Sequence, residues 1–250
     1  MVTLCIRLGA LALAACSCVA GATGIVVPAG ATLDLNGSAI GLASGDVRLD
    51  GQLNLGSGKI IDITAFRLGT TGAASLSSGL LQLVGDWQNL GFVDAGSSQV
   101  QFRDGGFNSS VLGTTTFANL SFVSAVGKRY ALQSGLTQSA TGLLEIHGTP
   151  GLPIQIASTI AASAAFLDLL PTGSQSISNV GVSDVHATGQ HLAPTLQNEG
   201  GSGNDSGWFG GGAGIVAIPA PALSPFGLMF LLLAMVALAL RAHFSFNRRH

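Results

Sequence analysis

The chain consists largely of short apolar alternations, each followed by residues that favour turns. Leu33-Asp34-Leu35 is followed by Asn36-Gly37, Val47-Arg48-Leu49 is followed by Asp50-Gly51, and Ile61-Asp62-Ile63 repeats the alternation. A period of two is typical of a β-strand that points aliphatic residues to one side and polar residues to the other. Because the turn signals return so often, we expect strands of about three to five residues, with Ile61 and Ile63 facing inward.

Strands this short favour a solenoid over a sandwich, whose strands usually run to about five or six residues. In a solenoid each coil pairs with the next, so stacked apolar residues form one continuous core without long strands. The sequence has no strict repeat period. We therefore predict an all-β fold, an irregular right-handed parallel β-helix (β-solenoid), over residues 23–209. The aromatic pair Trp208-Phe209 is expected to cover its open end.

Two segments of this body, Gly85 to Gly105 and Thr114 to Leu120, carry aromatic residues between Gly, Asn and Asp turns. They resemble the β-solenoid passenger regions of bacterial surface and adhesin-like proteins. The resemblance extends over most of Gly24 to Phe209. It implies a structural role at the cell surface.

An uncharged apolar stretch, Leu223 to Leu240, lies near the C-terminus. A helix of that length spans about 27 Å, close to the roughly 30 Å hydrocarbon core of a bilayer. Pro225 is tolerated only at the start of a helix, which predicts a transmembrane helix over about 225–240. Arginines beyond such a helix stay on the cytoplasmic side, so the preceding chain is expected outside the cytoplasm. Residues 210–217 are rich in Gly and are predicted to form a flexible linker.

Segment 218–250 resembles the C-terminal sorting signals of Gram-negative bacteria known as IPTL-CTERM and PEP-CTERM. These signals combine a Pro-containing tetrapeptide, one apolar helix and a terminal Arg cluster. The IPTL form is the more similar, although Ala220-Pro221-Ala222 separates Ile-Pro from Leu-Ser and no Pro-Glu-Pro occurs. The resemblance implies export and cleavage by an exosortase-like sorting protease. The residues that carry it are Ile218, Pro219, Ala220, Pro221, Leu223, Ser224, Arg241, Arg248 and Arg249.

The first 22 residues are predicted to be a secretory signal peptide. Arg7 precedes an apolar run from Leu8 to Ala15, and Ala20 and Ala22 have the spacing that signal peptidase recognises. Leu13-Ala14-Ala15-Cys16 also has the form of a lipoprotein signal, so lipidation of Cys16 is the alternative. Both readings place the protein outside the cytoplasm, anchored to the inner membrane by its C-terminal helix or passed on to the cell surface.

Cysteine usage and charge exclude several classes of function. All three cysteines, Cys5, Cys16 and Cys18, lie in the predicted leader, so cleavage after Ala22 removes thiol nucleophiles, disulfides and Cys-bound zinc. Thr23 to Ala217 contains six cations against all twelve carboxylates, a net charge of −6 (6 − 12). A nucleic-acid partner requires a clustered basic face, and none is predicted. The six cations are Arg48, Lys59, Arg67, Arg103, Lys128 and Arg129.

Catalytic residues, cofactors and metal ions are not predicted. Asp184, His186 and His191 lie close in sequence and could form a metal or acid–base site, but a third placed ligand is lacking and a surface loop is favoured. Most remaining carboxylates adjoin turn glycines and are expected to form local turn hydrogen bonds. The aromatic residues Trp87 and Tyr130 are expected in the core.

The sequence thus predicts an exported, non-catalytic structural protein of the envelope or cell surface, adhesive or associated with a polysaccharide matrix. One alternative is an enzyme that acts on polysaccharide, a lyase or glycoside hydrolase, since such enzymes also use β-helices. The other is a glycan-binding module.

Overall fold

The computed structural model describes residues 24–106 and 108–210. The predicted leader, the predicted transmembrane helix and nearly all of the predicted linker lie outside these residues. The described residues form β-strands and turns without an α-helix, and among them no helix is long and apolar enough to cross a membrane.

Twenty strands follow one another along the chain. They are β1 (Gly24–Val27), β2 (Thr32–Asp34), β3 (Ala39–Leu49), β4 (Gln52–Asn54), β5 (Lys59–Leu68), β6 (Ala73–Ser75), β7 (Leu80–Asn89), β8 (Phe92–Asp94), β9 (Gln99–Phe102), β10 (Asn108–Gly113), β11 (Thr115–Phe117), β12 (Asn119–Val123), β13 (Arg129–Leu132), β14 (Thr137–Ala140), β15 (Leu143–His147), β16 (Ile154–Ser158), β17 (Ala165–Leu169), β18 (Ser174–Ser178), β19 (Val180–Ser183) and β20 (Val185–Gly189).

The strands stack as a parallel β-solenoid of about 8 turns, which confirms the predicted solenoid. Each coil contributes to three faces. Face 1 contains β2-β4-β6-β8 and, separately, β11-β14-β17-β20. Face 2 contains the first parts of β3, β5 and β7, followed by β9-β12-β15-β18. Face 3 contains β1, the last parts of β3, β5 and β7, and then β10-β13-β16-β19.

Successive coils advance by nearly constant lengths at the beginning of the solenoid. Leu33, Leu53, Ala74 and Val93 share one register position on face 1, so these coils are 20, 21 and 19 residues long. Later coils lengthen at loops: on face 2, Leu144 pairs with Gln175, 31 residues on. This variation explains why the sequence shows no strict period.

Four strands are longer than the three to five residues expected: β10 by one residue, and β3, β5 and β7 by five or more. β3 has 11 residues, and β5 and β7 have 10 each, because each continues around the corner between faces 2 and 3. The register shifts at that corner in β3 and β5, where Asp62 has a φ of 60°. This irregularity makes the prediction for Ile61 wrong: Ile60 and Ile63 are the buried isoleucines of β5, and Ile61 lies on its outer side.

The core is a column of apolar side chains that repeats in register from coil to coil. On face 2 its members are fully buried or nearly so: Ile60, Leu81, Val100, Leu120 and Leu144. Aromatic rings extend the column on face 3, where Phe66 stacks on Trp87 at 4.4 Å between ring centroids. Each such burial contributes about 1.5–3 kcal/mol, so stability is distributed along the stack.

Face 1 is interrupted between β8 and β11, which do not pair. In one coil the chain crosses face 1 between Asn89 and Gln99. In the next coil it crosses face 1 between Gly113 and Asn119, which takes four fewer residues. The Asn89 amide bridges the step by donating to the Thr114 carbonyl oxygen at 2.9 Å. The step divides face 1 into two separate sheets.

The segment after β20 covers the C-terminal end of the solenoid. Leu192 bridges to Trp208, whose side chain is 4 % exposed, and Phe209 packs beside that ring. This arrangement confirms the predicted aromatic cap.

Candidate functional site

The polar outer surface of the solenoid carries two shallow, open depressions. The first, of about 390 Å³, lies at the corner between faces 1 and 2, where Lys59, Leu80, Gln99 and Asn119 come from four successive coils. The second, of about 300 Å³, lies on face 3. Its polar lining comprises Arg129, Gln155, Ser158, Ser183, Asp184 and Ser202. Amide, hydroxyl and guanidinium groups of this kind exchange hydrogen bonds with uncharged polyols.

The second depression is lined by one of the three residues predicted as a cluster, Asp184. Asp184 occupies the corner between β19 and β20, where its φ is 56°. Its carboxylate accepts hydrogen bonds from the Asn204 amide at 2.8 Å and from the backbone amide of Ala162 at 2.9 Å. These bonds, the one from Asn204 foremost, and the nearby His186 hold the pKa of Asp184 below its usual range.

Asn204 links Asp184 to His186. Because its amide nitrogen donates to Asp184, its oxygen is left to accept, and His186 Nε2 lies 3.1 Å from that oxygen. His186 therefore carries a hydrogen on Nε2. Nothing in the sequence marked Asn204 as this link, because its partners Asp184 and His186 lie 20 and 18 residues earlier.

His191 does not join this cluster. Its Nε2 lies 3.0 Å from the carbonyl oxygen of Phe209, in the cap. No group of three or more His, Cys, Asp or Glu side chains able to hold a metal ion occurs within residues 24–106 and 108–210. Of the three predicted residues, Asp184 and His186 are linked, each by a hydrogen bond to Asn204 at the exposed corner between β19 and β20.

Carboxylates beside turn glycines have several roles instead of the single one predicted. Asp94 does form a local turn bond, with the amide two residues later. Asp86 and Asp104 accept hydrogen bonds from the next coil, at 2.7 and 2.6 Å respectively. Asp46 and Asp50 pair with exposed arginines at 2.6 and 3.1 Å. Inter-coil bonding is therefore a major use of these side chains.

A buried lysine was missed by the sequence reading. Lys128 is 1 % exposed, and its ammonium lies 5.3 Å from the centre of the Tyr130 ring. Burial lowers the pKa of Lys128 to about 8, while the charges of Asp104 and Asp86 oppose that shift. Three backbone carbonyl oxygens accept from its Nζ, those of Val84 (2.5 Å), Arg103 (3.0 Å) and Gly105 (2.8 Å).

Trp87 and Tyr130 lie in the core with no exposed surface, as predicted. Neither can stack on a glycan at the surface. The most exposed large aromatic side chain of the described residues is Phe92, at 67 %, on the step in face 1.

The residues predicted for sorting and for leader cleavage lie outside the described residues. They are Ile218, Pro219, Ala220, Pro221, Leu223, Ser224, Arg241, Arg248 and Arg249, together with Ala20, Ala22 and the alternative lipidation site Cys16. No family model matches the chain, and no curated protein or solved structure does either.

Proposed function

We propose that this protein is an exported structural protein of a Gram-negative envelope, with a right-handed β-solenoid body outside the cytoplasm. Its function is contact with matrix polysaccharide or neighbouring cells, without catalysis. Signal peptidase removes residues 1–22, the C-terminal helix anchors the chain in the inner membrane, and an exosortase-like protease releases it or transfers it to the surface.

The observation that carries the proposal is the stack of about 8 turns, continuous in the sheet that forms faces 2 and 3, with a polar outer surface that holds few charges. Each coil contacts mainly the coils directly before and after it. Adding coils therefore extends the surface without requiring contacts between distant parts of the chain. Outward amides pair along it, as Gln82 does with Gln101 at 3.0 Å on face 2. This surface suits repeated weak contacts with a neutral polymer.

The two depressions support polysaccharide as the ligand. Both have several hydrogen-bonding side chains that come from neighbouring coils and could bind the hydroxyl groups of a sugar chain. The net charge of −6 in residues 23–217 (6 − 12) disfavours a polyanion. A neutral glycan fits these observations best.

Export and anchoring are tested by fractionating cells that produce the full chain. An epitope placed in the turn at Gly151, where φ is 79° and no neighbouring atom is close, survives processing at either end. We expect the protein in the membrane or surface fraction, with a mature N-terminus at Thr23. A cytoplasmic product with both termini intact contradicts the proposal.

A variant with Arg241, Arg248 and Arg249 replaced by Glu tests the role of the tail, with Arg48→Glu in the exposed body as the control for altered charge. We expect the triple variant to lose its correct orientation or processing and the control to retain both. Equal processing of the two variants would remove the basis for the sorting assignment.

A further inference from the structure

The N-terminal end of the solenoid presents an open strand edge on each of its three faces. β1, β2 and the first part of β3 (Ala39–Leu42) each pair with a described strand on one side only. Edges of this kind are templates for pairing with another chain. Within residues 24–106 and 108–210, no strand pairs with the outer side of these three edges, which together form a ring.

The polar groups of β1 alternate between the neighbouring strand and the open end. Val27 directs its carbonyl oxygen to the solenoid, where the amide of Asp50 donates to it at 2.8 Å. In a parallel ladder both polar groups of alternate residues face the same side, so those of Val26 face the open end. The same reasoning applies to four residues of β2 and β3: Thr32, Asp34, Ala39 and Gly41.

This end also exposes part of the core. Inward residues that are fully buried one coil later are only half-buried here, and Val26 is 59 % exposed on the outside. The half-buried residues are Ile25, Leu33, Ile40 and Leu42. Natural edges are usually protected by lysine or proline. The three edges contain neither, and Asp34 is their only charged residue.

The C-terminal end differs, because residues 190–210 cover it. Gly203 bridges to Ser183 of β19, and Trp208 bridges to Leu192. On face 2 the Gln175 side chain of β18 donates to His191 and accepts from Ala193, each at 2.8 Å. The C-terminal end therefore offers no free ring of edges, and end-to-end stacking into a fibre is disfavoured.

We propose that the N-terminal end binds a second copy of this chain, head to head about a two-fold axis. In this arrangement β1 lies antiparallel to β1 of the second copy, while β2 pairs with the first part of its β3. The two-fold contact is closed, because each copy has one open end and one capped end. The near absence of charge makes the surface compatible with itself.

This inference rests on the proposed function at one point. Removal of the leader after Ala22 leaves Thr23 as the only residue ahead of β1, too short a segment to cover three edges. A second copy presents a matching ring of edges, which makes it the occupant that these three edges fit.

Two substitutions at Val26 test the contact. Val26→Pro removes the amide that faces the open end, a change that an edge strand tolerates. Val26→Lys places like charges opposite each other across the axis. Val126→Lys is the matched control, because Val126 is 58 % exposed and lies far along the chain. The measurement is the mass of the detergent-extracted mature protein by light scattering over a range of concentrations, with the N-terminus determined by mass spectrometry.

We expect two chains per particle for the wild type and for Val126→Lys, and a tenfold or greater weakening of association for both Val26 variants. A wild-type monomer, or a dimer that both Val26 variants retain, overturns the inference. An N-terminus at Met1 instead contradicts the proposed function, whatever the mass of the particle. The two ideas can therefore fail separately.

Discussion

At the scale of single residues, Lys128 is the most unusual side chain of the body. It supplies three hydrogen bonds to carbonyl oxygens from two preceding coils, where strand pairing is interrupted at residues 103–106. Buried carbonyl groups without donors are costly, and a lysine can satisfy three at once. The sequence could not reveal this, because all three acceptors belong to the backbone of distant residues.

Lys128→Met is expected to lower the free energy of unfolding by about 2 kcal/mol at pH 7, because three buried acceptors lose their donor. The loss should grow between pH 8 and pH 9.5. In that range the folded state, with a pKa of about 8, has released a proton that the unfolded state, with a pKa of 10.5, still holds. The unfolded state then binds more protons, so raising the pH favours the folded wild type.

Urea unfolding of both proteins across this pH range measures the effect. Lys59→Met is the control, since Lys59 is exposed on the outer surface. A difference between wild type and Lys128→Met that stays constant or shrinks from pH 8 to pH 9.5 would contradict the assignment.

At the scale of elements, the sequence predicted short strands where the alternation continues without a break, as in β4 with Leu53 buried between two exposed neighbours. It failed where a strand turns a corner, because the irregularity near Asp62 reverses which residues face inward. It also missed the step between β8 and β11. The step arises because two successive coils cross face 1 with different numbers of residues. The positions of turn residues do not determine that number.

The step requires glycine at position 113. Gly113 has a φ of 82°, and a Cβ there would overlap the carbonyl oxygen of Asn89. Gly135 has a φ of 76° but no neighbouring atom within 4 Å. Gly135→Ala is expected to cost about 1–2 kcal/mol from backbone strain alone. Gly113→Ala should cost at least about 2 kcal/mol more, because the overlap must also be relieved.

Chemical denaturation of the two glycine variants provides the comparison. Equal losses would mean that the coil at β11 can shift away from Asn89 without penalty. In that case the close approach at the step has no structural importance.

At the scale of the whole molecule, frequent turns and short alternations were sufficient to predict a solenoid and its aromatic cap. They could not predict the two depressions, since each combines residues from several coils whose lengths vary between 19 and 31. The pair Asp184 and His186 could be predicted from proximity in sequence, but the bridging Asn204 and the exclusion of His191 could not. In a solenoid, coil length determines which residues of neighbouring coils lie next to each other, and loops change the coil length.

The stack also predicts how the molecule loses structure. Trp87 contacts aromatic rings of neighbouring coils on both sides, Phe66 at 4.4 Å and Phe117 at 5.2 Å, whereas Trp208 packs at one end. Trp87→Ala is expected to lower global stability by about 3–5 kcal/mol, because a cavity in a central coil weakens two interfaces. Trp208→Ala should mainly release the cap, with fast hydrogen exchange confined to β19, β20 and residues 190–210 and a smaller global loss. Hydrogen exchange with mass spectrometry distinguishes these outcomes. Fast exchange spread equally over all coils in Trp208→Ala would show that the solenoid unfolds as one unit, without local opening at its end.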